Sequence, residues 1–155
     1  MTDLLSLLLP ARVDNRVVGS RVPLYVLGAI AAVSLVRSGI HLLASDGGAG
    51  SIAGMDLSVA GADGIVFAFA LWGSSQLLMA LVQLVVVVRY RSLVPAMYLL
   101  LILEILLRML VGWLKPISLA HAPPGAVGNW VLLPLALLML AWSLWSGHKT
   151  QPTSP

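Results

Sequence analysis

Residues 64–88, GIVFAFALWGSSQLLMALVQLVVVV, contain no charged side chain. A bilayer-spanning helix needs about 20 mainly apolar residues, because each residue advances roughly 1.5 Å across about 30 Å of hydrocarbon. In lipid every backbone N–H and C=O must be satisfied within its own segment or by a partner strand. The stretch lacks the period-2 alternation of a barrel strand, so it is read as a transmembrane helix. Three further runs meet the same test. Residues 22–44 are uncharged as far as Val36 and then carry Arg37 and His41. Residues 93–114 are interrupted by Glu104 and Arg108, and residues 130–145 are short, uncharged and rich in leucine. The reading is an all-α integral membrane protein, a bundle of four transmembrane helices.

Composition agrees. The chain has 155 residues, 59% hydrophobic and 10% charged, against about 25% charged in a soluble domain. Its mean hydropathy is +0.99, which excludes an ordinary soluble domain and a disordered chain. Without cysteine there is no disulfide, thiolate metal site or thiol catalysis. The net charge of +3 is scattered beside apolar runs rather than gathered in a patch, so no nucleic-acid partner is expected and the lipid bilayer is.

Orientation follows from the basic residues that flank the spans. Arg12, Arg16 and Arg21 precede the first, Arg89 and Arg91 separate the second and third, and Lys149 follows the fourth. The other two connections contain Lys115 together with Asp46, Asp56 and Asp63. Both termini are therefore expected in the cytoplasm. Tyr25, Tyr90, Trp142 and Trp145 would then lie near the inner interface, with Trp113 and Trp130 near the outer one.

Residues 1–21 read as a cytoplasmic N-terminal segment. Asp3 stands where a signal peptide carries positive charge, and the apolar run at 4–9 is too short for its core. That run is expected to form a short interfacial helix. The Arg89-Tyr-Arg-Ser92 link is short enough to make the second and third spans an antiparallel hairpin. The outer 45–62 connection holds Gly47, Gly48, Gly50, Gly54 and Gly61; no strand precedes it and no lysine follows, so it reads as a flexible outer cap with some apolar contact to the bundle and not as a P-loop. Pro123-Pro-Gly125 reads as a turn into the last span, Pro134 as a kink within that span, and residues 147–155 as a disordered cytoplasmic tail.

Ionisable groups inside a span cost about 2.5–3.5 kcal/mol each on insertion scales and call for a partner or a cavity. Arg37 and His41 are four apart and share a helix face, as do Glu104 and Arg108. Measured inward from the span ends, Arg37 lies roughly 10 Å deep and Glu104 roughly 13–15 Å deep. The second span contributes Trp72, Gln76 and Gln83 along one stripe, with Ser74 and Ser75 beside them. The expected site is one outer-leaflet polar cluster of Arg37, His41, Gln76, Glu104 and Arg108, either structural or ligand-binding. Two positive charges face one negative charge there. Either the missing anion is Asp63 or a ligand phosphate or carboxylate, which suits the forked donors of arginine, or none is needed, with Glu104 and Arg108 neutralising each other and Arg37 snorkelling to the outer headgroups. No catalytic triad, HExxH motif or carboxylate pair is present, and the histidines at 41, 121 and 148 do not converge. Catalytic residues, metal and cofactor are therefore all expected to be absent. Gly28 and Ala32 form a small-residue face for close helix packing.

Several stretches resemble a group of small bacterial four-helix inner-membrane proteins, loosely DoxX-like in architecture. They are Pro10-Ala-Arg-Val-Asp-Asn15 followed by Gly19, Val88-Arg-Tyr-Arg-Ser-Leu-Val-Pro95, the Glu104 and Arg108 pair, and Pro123-Pro-Gly125. The resemblance implies a multi-pass protein of the bacterial inner membrane and no particular activity, since fold alone does not carry function. The sequence favours a non-enzymatic accessory component that self-associates or joins a membrane-protein partner. The alternative is a small transporter, or a binder of a lipid or quinone-like ligand, that uses the polar cluster.

Overall fold

The computed structural model describes residues 4–17 and 19–150, all helix, turn and loop. Its helices are α1 (Leu4–Leu8), α2 (Val22–Leu43), α3 (Ala62–Arg89), α4 (Val94–Leu114) and α5 (Pro124–Thr150), with a single 3-10 turn at Arg91–Leu93 before α4. The last four are long and apolar enough to cross a membrane. Large apolar side chains such as Val33, Phe67 and Trp130 stay about 70% exposed, as expected of a surface whose solvent is lipid.

Helix boundaries follow local chemistry. Proline stands in the first turns of α2 and α4, where its missing N–H costs nothing and its fixed φ suits a helix start. α5 is longer than the sequence indicates at both ends. The expected Pro123-Pro-Gly125 turn is instead the entry to the helix: Pro124 is its first residue, and the Pro123 carbonyl accepts from the amide of Ala126 at 2.9 Å. The helix continues through Pro134. At the other end residues 147–150, expected to be disordered, continue the helix, and the N-terminal segment packs on Ser146 and Gly147 while residues 148–150 stay exposed. Ser20 N–H donates to Ser146 Oγ at 3.0 Å. Gly19, at φ +82, lies so close to Ser146 and Gly147 that a side chain there would overlap their backbone. The remainder of that tail, 151–155, lies outside the described residues.

The helices associate as two pairs, α2 with α3 and α4 with α5. This corrects the hairpin expected of the second and third spans. α3 and α4 are joined by the short link, with the 3-10 turn between them, but barely touch. The pairs meet tightly near the chain termini. Leu24, Leu27, Val86, Met97, Tyr98, Leu101, Ala136 and Met139 form a continuous core there. The Tyr98 hydroxyl, fully buried, donates to the Pro23 carbonyl at 2.7 Å. Ser92 closes the same end by accepting from Asp14 N–H at 3.0 Å and donating back to the Asp14 carbonyl at 3.1 Å. α1 packs beneath through Leu7, which is buried, while Leu4 and Leu5 stay exposed.

The 45–62 connection, expected as a flexible cap, is a run of hydrogen-bonded turns folded over the opposite end. Gly47 N–H bonds the Ala44 carbonyl at 2.9 Å and Met55 N–H bonds that of Ala49 at 3.0 Å. Ala49 is fully buried. The Asp46 carboxylate accepts from the amides of Ser51 at 2.7 Å and Gly48 at 2.8 Å, and those bonds hold its pKa down at about 2. Ala120 N–H donates to the Gly54 carbonyl at 3.1 Å, which ties this loop to the α4–α5 connection.

Candidate functional site: a polar cavity between the helix pairs

Because the pairs are tight at one end and diverge toward the other, a cavity of about 440 Å³ remains between them. That volume falls within the roughly 300–1,000 Å³ of small-molecule sites. All four long helices line it. Arg37 and Ser34 come from α2, Gln76 and Gln83 from α3, Glu104 and Arg108 from α4, and Gly128 and Asn129 from α5. Ile30, Met79, Leu101, Leu132 and Leu135 make the remaining wall apolar, and the exposed Ala29 and Val33 lie at its rim.

Arg37 is held across two helices, whereas Glu104 and Arg108 pair within one. The Arg37 guanidinium crosses from α2 to α3, where Nη2 donates to Gln76 Oε1 at 3.1 Å. Its Cζ lies 5.3 Å from the centre of the Trp72 ring, a distance at which a cation is attracted to the indole face. The Trp72–Gln76 spacing on one face of α3 thus supplies Arg37 with both a plane and an acceptor. Across the cavity, Glu104 and Arg108 are one turn apart on α4, with Oε1 and Nη1 3.4 Å from each other. That contact is an ion pair without hydrogen-bond geometry, and Glu104 Oε1 and Arg108 Nε are both buried without a hydrogen-bond partner among the described residues. Arg37 lies within coulombic reach of Arg108 and Glu104. The cavity therefore contains two guanidinium charges and one carboxylate.

Four of the five expected site residues, Arg37, Gln76, Glu104 and Arg108, meet at this cavity. His41 does not line it. His41 is 4% exposed, and its Nδ1 bonds the Gly47 carbonyl at 2.8 Å. Since a carbonyl only accepts, that nitrogen carries the proton. The ring packs on Trp72 and Phe69 at centroid distances of 4.9 and 5.9 Å. One turn along α2 from Arg37, His41 thus pins the 45–62 loop onto α2 and α3. α3 comes this close because residue 73 is glycine: a Cβ there would stand 2.7 Å from that of His41. Asp63, a candidate for the missing anion, is exposed in the first turn of α3. It lies thirteen residues, about 20 Å of helix, from Gln76 and does not supply the second negative charge. Gly28 packs inward, with Val87 in contact range of a Cβ placed there.

The α5 wall is the part of the site that sequence reasoning missed. Residues 124–129 read as loop, so Asn129 was not placed beside the arginines. Its polarity at the head of an otherwise apolar run was the available signal. No group of three or more potential metal-ligating side chains gathers among the described residues. Comparison with protein-family models, with curated proteins and with solved structures finds no match.

Proposed function

We propose that this chain binds an amphiphile with an anionic head inside the bilayer, the head between Arg37 and Arg108 and the tail along the apolar wall. The observation that carries this reading is the cavity in which two guanidiniums face a single carboxylate. An unbalanced charge at membrane depth is costly, and an anion offset by arginine forks removes that cost. The sequence by itself favours an accessory component; the cavity moves the reading to ligand binding. In this reading both termini are cytoplasmic, by the distribution of the basic residues, the membrane is the bacterial inner membrane that the resemblance implies, and the head occupies the outer leaflet.

The test is native mass spectrometry and calorimetric titration of the detergent-purified full chain with oleate, a lysophosphatidate and an uncharged monoacylglycerol of equal chain length. The two anionic probes separate a carboxylate from a phosphate head. Either should bind at least tenfold more tightly than the monoacylglycerol, and Arg37→Gln or Arg108→Gln should erase that margin. Equal binding of all three, or a stoichiometric second protein retained with no amphiphile bound, would overturn the reading in favour of an accessory role.

A further inference from the structure

An anionic head accounts for the arginines and leaves Gln83 unexplained. Gln83 is 3% exposed, lines the same cavity, and its Oε1 has no hydrogen-bond partner among the described residues. A buried amide oxygen without a donor is expensive, more so where no water competes. Acyl methylenes cannot relieve it. Gln76, which holds Arg37, and Gln83 are seven residues apart on α3, two turns on one face. That places Gln83 about 10 Å along the cavity from the head. Glu104 Oε1 is a second unpartnered acceptor on this cavity, but it stands against Arg108.

We infer that the ligand carries, besides its anionic head, a hydrogen-bond donor about 10 Å along its chain, received by Gln83 Oε1. The inference rests on the anionic-amphiphile reading above and adds the specificity that the head alone does not provide. Ten ångströms corresponds to about eight carbon–carbon bonds of extended chain, so the chemical class is a mid-chain hydroxylated or amide-bearing anionic amphiphile. A site built to pair a hydroxyl discriminates against the analogue lacking it, because the protein acceptor is then left unpaired.

Stearate, 2-hydroxystearate and 10-hydroxystearate, titrated into the detergent-purified full chain, test this directly. 10-Hydroxystearate should bind about five- to tenfold more tightly than stearate. 2-Hydroxystearate, whose hydroxyl lies beside the head, should gain nothing. Gln83→Leu should bring 10-hydroxystearate down to the level of stearate while stearate binds as before or better. Equal affinities for the three acids in the wild-type protein would overturn the inference and leave the anionic-head reading standing. Failure of all three to bind would overturn both. The wild-type comparison decides the matter even where Gln83→Leu does not fold, and Gln83→Met offers a second apolar replacement of similar length.

Discussion

Arg37 on α2 donates to Gln76 on α3 at 3.1 Å, which makes a neutral amide the direct partner of a guanidinium at membrane depth. Replacing that amide by a carboxylate would pair the charge internally. Gln76→Glu should therefore keep or raise stability in detergent unfolding. It should also weaken binding of oleate or lysophosphatidate at least tenfold, because two carboxylates then balance the two arginines. Unchanged binding in this variant would mean that charge imbalance does not draw the ligand.

The Tyr98–Pro23 bond joins the two helix pairs where they pack most tightly. Tyr98→Phe removes the hydroxyl and leaves the Pro23 carbonyl buried without it. A loss of about 1 kcal/mol is expected in reversible unfolding in mixed micelles. No loss would show that the carbonyl finds another donor.

At Gly73 the limiting contact is with the His41 Cβ and the adjacent α2 backbone, 2.7 to 3.1 Å from where a Cβ would stand. Neither can rotate away. Gly73→Ala should cost about 1–3 kcal/mol as overpacking, although alanine is the better helix former in isolation. A variant as stable as wild type would refute the close packing of α2 on α3.

His41 and Arg37 lie one turn apart and are assigned different work. His41→Leu removes the bond to Gly47 and should lower stability by about 1–2 kcal/mol, with little change in anionic-amphiphile binding. Arg37→Gln should do the reverse. Equal loss of binding in both would return His41 to the site.

Asp46 gives the loop an acid-sensitive contribution. Its folded pKa of about 2 lies below its ordinary 3.8, so its stabilisation is complete above about pH 4 and is lost as pH falls toward 2. Thermal midpoints measured between pH 6 and pH 2 should fall more steeply for wild type than for Asp46→Asn, and the two should converge at the acid end. Parallel curves would rule out the Ser51 and Gly48 amides as its partners.

The four spanning helices, the placing of Glu104 and Arg108 on one face of α4, and the short α1 were all legible in the sequence. Hydropathy, length and the 3.6-residue period are local properties, and lipid leaves an apolar run of that length few alternatives to a helix. Tertiary structure decided which helices pair and which polar groups meet. The short 89–92 link promised an α3–α4 hairpin, yet α3 lies on α2, where Gly73 lets the two backbones approach. His41, four residues from Arg37, left the expected cluster because a loop carbonyl 2.8 Å away claims its ring. α5 began six residues before its apolar run because a first-turn proline extends a helix at little cost. Its N-terminal turns thereby became the fourth wall of a cavity whose lining is drawn from every long helix, and no local stretch of sequence contains that arrangement.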